Sequence, residues 1–295
     1  MPELPDVELY LHALRPRVVG QTLAAVRVRS PSLLRTYDPP ISEAHGRRVP
    51  GVRRVGKRIV FELDGGLLLS LHLMIAGRLK WAKPGAAIPG RVGLAALDFD
   101  RGTLLIIEAA RRKRAQLHLL RGEAALGELD RGGMEPLDAT REEFEEALRR
   151  ENHTLKRALT DPRFFSGIGN AHSDEILHEA KLSPLKRTAQ LGGDDVDRLF
   201  TATRRSLAAW TTRLRDEWGD DFPAKVTAFH PAMRVHGKFG QPCPVCGAKI
   251  QRIVRGDHET NYCPTCQTGG RLLRDRALSK LLREDWPSSI EELEE

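Results

Sequence analysis

The residues whose spacing is best suited to chemistry are the four cysteines, which all lie in one short segment near the C-terminus. They form two Cys-x-x-Cys pairs separated by sixteen residues: Cys243, Cys246, Cys263 and Cys266. This spacing is typical of a zinc site with four thiolate ligands. Two disulfides or a redox Cys-x-x-Cys pair are the alternatives, although reduced thiols are expected in a chain without a secretion signal. Because four protein ligands leave no open position, we expect one structural Zn²⁺ that takes no part in catalysis.

Basic residues form a second candidate binding feature. Four cations follow one another at residues 111–114, and four arginines flank the cysteines: Arg252, Arg255, Arg271 and Arg274. The chain as a whole has a formal net charge of +7. Clustered cations favour a polyanion through phosphate contacts and counterion release. A solvated surface balanced by nearby acids is an equally good interpretation of a basic run alone.

The composition excludes several classes of protein. A chain of 295 residues with 40% hydrophobic and 29% charged residues is globular rather than disordered. No apolar run approaches the ~18 residues that a membrane span needs. The first six residues have neither the basic nor the apolar region of a secretion signal. We therefore expect a cytoplasmic protein that does not enter a membrane.

The pattern of apolar residues changes along the chain and divides the elements into groups. A helix capped by Asp6 is predicted at residues 6–15, and short β-rich runs separated by turn signals fill residues 22–122. Helical periodicity follows, with a capping box at Thr140 and Glu143. The expected fold class is α+β multidomain, with an N-terminal β-sandwich that carries a helix. The expected segments are 1–134 (β-sandwich), 135–235 (helical), 236–270 (zinc finger) and 271–295 (C-terminal extension).

A glycine-rich corner lies within the helical segment. Residues 167–170 read Gly-Ile-Gly-Asn between a short helix at 155–160 and a longer one that begins near Asn170. The glycines allow a tight turn, and Asn170 is a good N-cap. A helix N-terminus in a basic protein also suits a phosphate. A plain helix corner and a DNA contact are equally compatible with this spacing.

Three motifs together resemble one known family. Residues 2–8 read Pro-Glu-Leu-Pro-Asp-Val-Glu, the Gly-Ile-Gly-Asn corner follows, and the four-cysteine segment comes last. In this order the motifs resemble the Fpg/Nei family of bifunctional DNA glycosylases/AP lyases, and the resemblance spans residues 1 to about 268. It implies a β-sandwich, a helix–two-turn–helix domain and a zinc-finger hairpin. It also implies a monomer that acts on damaged double-stranded DNA in base excision repair.

The resemblance gives the unusual N-terminus a chemical role. Removal of Met1 leaves Pro2 with a free secondary amine. An α-amino group with a pKa of ~8 is roughly a tenth neutral at pH 7, whereas a lysine with a pKa of ~10.4 is almost wholly protonated. Pro2 is then the expected nucleophile at the sugar, and its iminium drives β- and δ-elimination. The resemblance implies that Glu3 moves protons and that Lys57 contacts phosphate and assists base release.

The resemblance also implies residues that hold DNA. Arg163, Asn170 and His72 match contacts to the DNA backbone, and Glu8 matches a buried acid of the opening motif. Extrusion of a damaged nucleotide needs a wedge that fills the gap in the duplex. The family's His-Leu-Gly-Met-Ser-Gly reads His-Leu-Met-Ile-Ala-Gly at residues 72–77, which leaves Met74 and Ile75 as the candidate wedge.

Two further positions depart from the family pattern. In the segment that reads the opposite base, Arg111 matches, but Lys113 stands where the family has an aromatic wedge. In the finger, His258 stands where the family has an arginine, with Arg255 as a nearby substitute. These departures leave the lyase residues in place. They leave the preferred lesion open, among oxidised and ring-opened bases.

Three other functions compete with a glycosylase/AP lyase. A damaged-DNA-binding protein without catalysis would use the same scaffold, but Pro2, Glu3 and Lys57 argue against the loss of catalysis. A generic zinc-ribbon module fused to a β domain leaves the opening motif unexplained. A metallonuclease needs a compact cluster of acids and histidines, and the ten histidines are scattered.

Overall fold

The computed structural model describes residues 1–256, 258–273 and 289, except for the side chain of residue 258. The chain divides into two compact units. Unit 1 contains residues 1–131 and 210–228. Unit 2 contains residues 132–209 and the described residues from 229 onward. The division differs from the four segments expected from the sequence, because the last part of a long helix belongs to unit 1.

Unit 1 contains two antiparallel sheets, which confirms the expected β-sandwich. Its elements are α1 (Leu4–Val18), β1 (Thr22–Val28), β2 (Arg47–Arg48), β3 (Gly51–Val55), β4 (Arg58–Leu63), β5 (Leu67–His72), β6 (Gly77–Ala82), β7 (Gly93–Phe99), β8 (Gly102–Glu108), β9 (Gln116–Arg121) and α2 (Gly122–Gly127). One sheet has the order β2-β1-β7-β8-β6 and the other β3-β4-β5-β9. Most residues of β5 and β8 are buried, since both strands lie inside their sheets.

The first helix begins earlier than the sequence indicates. Glu3 is the N-cap of α1, and Asp6 occupies the third helical position of a capping box. The prediction that Asp6 caps the helix is therefore wrong by three residues. The side chain of Asp6 accepts a hydrogen bond from the backbone N–H of Glu3 at 2.8 Å. This reciprocal arrangement lets the helix begin immediately after Glu3.

The helices of unit 2 agree more closely with the sequence. They are α3 (Arg141–Arg149), α4 (Leu155–Thr160), α5 (Asn170–Glu179), and α6 (Gly193–Trp218), which ends in unit 1. The capping box at Thr140 is confirmed. The N-cap of α5 is Gly169, and Asn170 is the first helical residue, so the prediction of Asn170 as cap is wrong. The shift leaves the Asn170 side chain free to bond elsewhere.

The cysteine segment folds as a hairpin followed by a short helix. Strands β10 (Gln251–Arg255) and β11 (His258–Tyr262) pair antiparallel, and α7 (Pro264–Thr268) follows. Most of the expected C-terminal extension, 271–295, lies outside the described residues. In the part of the chain that is described, no helix is long and apolar enough to cross a membrane.

Candidate active site and zinc centre

The N-terminus of unit 1 is buried although it is a chain end. Pro2 is buried, Glu3 is 3% exposed, and Met1 is 37% exposed. Burial lowers the pKa of the Met1 amine, and the carboxylate of Glu3 partly offsets this effect. Removal of Met1 moves the terminal amine to Pro2, which lies deeper. The same desolvation therefore favours the neutral, nucleophilic form of the Pro2 nitrogen.

Lys57 lies in the same electrostatic environment as the N-terminus. It follows Gly56 in the turn between β3 and β4, where Gly56 has a φ of +59° that suits glycine. Burial lowers the pKa of Lys57, and the charges of Glu3 and Asp6 act in the opposite direction. Burial also raises the pKa of Asp6 to about 7. The structure thus brings Glu3 and Lys57 together and adds Asp6.

His72 is the last residue of β5, and its imidazole ring is held in one protonation state. Its Nδ1 accepts a hydrogen bond from the backbone N–H of Met74 at 3.0 Å. Burial and the nearby positive charges of Arg58 and Lys57 lower its pKa to about 3. The ring is therefore neutral, with its proton on Nε2. An Nε2–H donor suits a phosphate oxygen.

The turn after β5 distinguishes the two candidate wedge residues. Ile75 is 55% exposed, whereas Met74 is partly buried and has a φ of +53°. Gly77 closes the turn, since a Cβ there would lie 2.3 Å from the carbonyl oxygen of Leu73. The guanidinium of Arg78 donates to the Gly77 carbonyl at 2.7 Å and braces the turn. Of the two residues, Ile75 is the more exposed to solvent.

The basic block lies in a loop after β8 that is organised by a buried acid. Glu108 is 1% exposed, and its carboxylate accepts the backbone N–H groups of Arg114 and Ala115 at 2.9 and 3.1 Å. Lys113 donates to the carbonyl oxygen of Glu108 and so points back into the loop. Arg111 is exposed. Arg111 is therefore accessible to a ligand, whereas Lys113 is bonded within the loop.

The predicted DNA contacts of unit 2 have different surroundings. The Asn170 side chain donates to the carbonyl oxygen of Glu259 at 2.8 Å, which joins the start of α5 to the hairpin. Arg163 is exposed and paired with Asp161 at 2.8 Å and Glu151 at 3.0 Å. Phosphate binding by Arg163 must compete with these two acids.

The hairpin carries the two remaining candidates. Arg255 is exposed at the end of β10 and pairs with residue 258 in the strand register. The side chain of His258 lies outside the described residues. Arg252 is also on this hairpin, where it stacks over the ring of Phe239 at 4.3 Å. Two arginines of the hairpin, Arg252 and Arg255, are thus exposed to solvent.

The cysteines come together as a metal site requires. The sulfur atoms of Cys246 and Cys263 are 3.3 Å apart, and those of Cys243 and Cys266 are 4.0 Å apart. Four thiolates at such distances fit tetrahedral Zn²⁺, because Zn–S bonds of ~2.3 Å separate ligand sulfurs by ~3.8 Å. A fifth donor, not predicted from the sequence, lies beside them. The Nε2 atom of His178 lies 3.3 Å from the sulfur of Cys243.

A buried ionic network in unit 2 was also not predicted from the sequence. Asp174 is 1% exposed and bonds Lys156 at 2.5 Å, His236 at 2.8 Å and the backbone N–H of Asn261 at 3.1 Å. These partners come from α4, the first residue of the finger segment 236–270, and β11. Asp174 lies among other polar residues of α5, so its position in the sequence did not single it out, and its partners are distant in sequence. The network ties the finger to α5.

Comparisons with known proteins match the chain along most of its length. Family models match residues 1–115 (formamidopyrimidine-DNA glycosylase N-terminal domain), 133–211 (formamidopyrimidine-DNA glycosylase H2TH domain) and 240–269 (zinc finger found in FPG and IleRS). The chain is 34% identical over 278 residues to the formamidopyrimidine-DNA glycosylase of Chloroflexus aggregans, covering 90% of this chain and 98% of that protein.

Solved structures of a Lactococcus lactis protein are similar in fold. The structure of Lactococcus lactis Fpg in complex with DNA containing an abasic site has a TM-score of 0.79 and 26% identity. It covers 90% of this chain and 99% of that chain. A complex of the same protein with DNA containing an oxidised pyrimidine has a TM-score of 0.79 and 27% identity, with 90% and 100% covered.

Proposed function

The chain belongs to the formamidopyrimidine-DNA glycosylase family and is a DNA N-glycosylase with AP lyase activity, and we propose that Pro2, Glu3 and Lys57 carry its reaction. The observation that supports this assignment is the buried N-terminus, where the amine, Glu3 and Lys57 share one electrostatic environment. Its partner is damaged DNA, as in the structurally similar complexes.

The nucleophile is the nitrogen of Pro2 after Met1 has been removed. Desolvation favours its neutral form, so its lone pair is available at neutral pH. The nitrogen attacks C1′, and the bond from C1′ to the damaged base breaks. The base leaves with the bonding electrons and takes up a proton, and the Pro2 nitrogen loses its N–H proton. Opening of the sugar ring leaves an iminium between Pro2 and C1′. On an abasic site the same iminium forms from the aldehyde with loss of water.

Glu3 is the group that moves protons. Glu3 follows Pro2 directly in the chain. It is the N-cap of α1, and its side chain is buried. It donates a proton to the ring oxygen O4′ as the sugar opens. After the iminium has formed, the C2′ proton is acidic, and its removal expels the 3′ phosphate by β-elimination. δ-Elimination then expels the 5′ phosphate.

Lys57 and His72 hold the sugar–phosphate backbone beside the nucleophile. Lys57 supplies a positive charge with little surrounding water, which strengthens its attraction to a phosphate. His72 donates from Nε2, since its Nδ1 is occupied by Met74. A neutral donor contributes a directed hydrogen bond without additional charge.

Three groups of residues serve DNA binding in this proposal. Ile75 fills the space left by the extruded nucleotide, with Met74 beneath it, and Arg111 contacts the opposite base. Asn170, Arg163, Arg255 and His258 contact phosphates. The segments 1–134, 135–235 and 236–270 then supply chemistry, backbone contacts and the zinc-supported hairpin respectively.

The substrates are oxidised or ring-opened bases. The support comes from relatives: one solved complex contains an oxidised pyrimidine, and the family takes its name from formamidopyrimidine. We also propose that the enzyme acts in the cytoplasm, where its cysteines stay reduced and its DNA substrate lies. It acts as a monomer in this proposal.

Borohydride trapping tests the assignment. Tag-free protein, with removal of Met1 checked by mass, is mixed with an abasic-site duplex and with duplexes carrying oxidised bases. We expect a covalent adduct with the wild type, a lost or much reduced adduct with Pro2→Gly, whose terminal amine is primary rather than secondary, and greatly reduced base release with Glu3→Gln. Pro5→Gly is the matched control, since it changes a nearby proline that bears no amine. Binding without any adduct on all these duplexes would contradict the proposal.

A further inference from the structure

The zinc centre has one more donor than a structural zinc ion uses. The atoms His178 Nε2, Cys243 Sγ, Cys263 Sγ and Cys266 Sγ all lie within 4.8 Å of one another. Cys246 Sγ lies 3.3 Å from Cys263 Sγ. The site therefore offers four thiolates and one imidazole to an ion that takes four ligands.

His178 is held at the centre by the way α5 docks on the finger. Asn170, Asp174 and His178 are spaced four residues apart and therefore lie on one side of α5. Asn170 bonds Glu259, Asp174 bonds Asn261, and His178 contacts Cys243. Glu175 adds bonds to the backbone N–H groups of residues 234–236 at 2.9 to 3.0 Å. These contacts fix the imidazole where a ligand would be.

The distances suit ligation as well as hydrogen bonding. A Zn–S bond of ~2.3 Å and a Zn–N bond of ~2.0 Å at a tetrahedral angle place sulfur and nitrogen ~3.5 Å apart. The observed separation between His178 Nε2 and Cys243 Sγ is 3.3 Å. His178 is 2% exposed, so water does not compete for this nitrogen.

The cysteines differ in how well they are protected. Cys246 is exposed, Cys243 and Cys263 are buried, and Cys266 is intermediate. An exposed thiolate is the ligand that solvent-borne reagents reach first. His178, Cys243, Cys263 and Cys266 form a complete set of four donors without it.

We propose that His178 is a reserve zinc ligand that completes a Cys₃His site when Cys246 is lost. While Cys246 is present, His178 Nε2–H donates to the Cys243 thiolate. When Cys246 is absent, Nε2 binds the metal through its lone pair, and the single ring proton resides on Nδ1. Nδ1 is buried and has no hydrogen-bond partner among the described residues. That unpaired N–H weakens the imidazole as a ligand and explains why the thiolate is preferred.

The test measures metal content and ligand type in the full-length protein. Cys246→Ala is expected to retain one zinc per chain, with weaker affinity in a chelator competition. Its Co²⁺ form is expected to lose thiolate-to-metal charge-transfer intensity in proportion to one of four sulfurs, and its d–d bands move as nitrogen replaces sulfur. Cys246→Ala combined with His178→Phe is expected to lose the metal.

Two controls make the result decisive. Cys263→Ala removes a buried ligand and is expected to lower affinity much more than Cys246→Ala. His178→Phe alone is expected to retain zinc and the four-sulfur Co²⁺ spectrum. Loss of zinc from Cys246→Ala to the same extent as from Cys263→Ala would overturn the proposal. An identical metal affinity and Co²⁺ spectrum in Cys246→Ala with and without His178 would also overturn it.

Discussion

Burial shifts the pKa values of the cationic and the anionic groups at the N-terminus in opposite directions. It lowers the pKa of the terminal amine and of Lys57, and it raises the pKa of Asp6 to about 7. Both effects disfavour the charged form, since each group has lost water. The consequence is a nucleophile that is neutral at a lower pH than an exposed amine would be. We infer that this burial, rather than one neighbouring charge, activates Pro2.

Asp6 gives the first prediction at the level of single residues. A carboxyl whose pKa is raised on folding binds a proton more tightly in the folded state, so stability falls as pH rises between about 4 and 7. Asp6→Asn removes this titration and is expected to flatten the dependence of unfolding free energy on pH in that window. Denaturant titrations at several pH values measure it.

The pH dependence of stability in Asp6→Asn can also contradict a raised pKa of Asp6. An unchanged slope between pH 4 and 7 in Asp6→Asn would mean that Asp6 is ionised in the folded protein. Glu123→Gln is a matched control, because it removes an exposed carboxyl of the same unit. The fall in stability with rising pH is expected to persist in Glu123→Gln, because Asp6 is retained.

Ile75 gives the second prediction. Truncation by Ile75→Ala is expected to slow release of a damaged base from duplex DNA by about tenfold or more. The reason is that insertion of this side chain into the duplex buries its apolar surface, and this burial contributes a free energy of roughly 1.5–3 kcal/mol. Strand cleavage at an existing abasic site, where no base is extruded, is expected to change less. Single-turnover rates on the two substrates provide the measurement.

The neighbouring methionine provides the control for the wedge. Met74 has a φ of +53°, which glycine adopts without strain, so Met74→Gly is expected to change stability by no more than ~1 kcal/mol. It is also expected to reduce base release less than Ile75→Ala does. A larger loss of base release from Met74→Gly would assign the wedge to Met74.

At the scale of elements, the loop after β8 depends on one buried carboxylate. Glu108→Ala leaves the backbone N–H groups of Arg114 and Ala115 without their acceptor, at an expected cost of roughly 1–3 kcal/mol. The loosened loop also positions Arg111 less well, so discrimination between opposite bases is expected to decrease. Thermal unfolding and excision rates opposite each of the four bases measure both effects.

Glu108→Gln is a smaller change at the same position, because it keeps the size of the side chain and removes its charge. Both backbone N–H groups bond the same carboxylate oxygen, and the amide supplies an uncharged oxygen in its place. Because a neutral acceptor bonds more weakly than a charged one, we expect an intermediate loss of stability and of discrimination. If Glu108→Ala and wild type discriminate equally between opposite bases, Arg111 is not the residue that reads them.

Periodicity and capping patterns were sufficient for most of the fold but not for contacts between distant segments. The helix at 155–160 and the capping box at Thr140 were predicted correctly, because both are determined by neighbouring residues. The cap of α1 was misassigned, since Asp6 can serve as a cap or as the third residue of a capping box. Local sequence favours both arrangements.

The functional sites were likewise predictable only where they depend on residues close together in sequence. The cysteine spacing was enough to predict a zinc site, whereas His178 and Asp174 were not identified. Their partners are 65 and 62 residues away, at Cys243 and His236. Such contacts depend on how α5 docks on the finger, and sequence periodicity does not report docking.

At the scale of the whole molecule, binding to DNA is expected to depend on both charge and zinc. The net charge of +7 favours a polyanion at low salt. Removal of zinc by a chelator is expected to unfold the hairpin that carries Arg252 and Arg255. The slope of log affinity against log salt should then decrease by ~0.9 for each phosphate that the hairpin no longer neutralises. Binding titrations at several salt concentrations measure this change.

Unit 1 provides an internal control for zinc removal. Its sheets contain no metal ligand, so its far-ultraviolet circular dichroism is expected to persist after chelation. An unchanged salt slope in the zinc-free protein would show that the hairpin does not bind phosphates.

The central claim is that the Pro2 nitrogen forms the covalent bond to DNA, and peptide mapping of the borohydride-trapped adduct tests it most directly. The protein, with Met1 removed, is trapped on abasic-site DNA, digested with protease and nuclease, and sequenced by mass spectrometry. We expect the residual sugar mass on the N-terminal peptide, at Pro2. Attachment to a lysine, Lys57 included, would contradict the account.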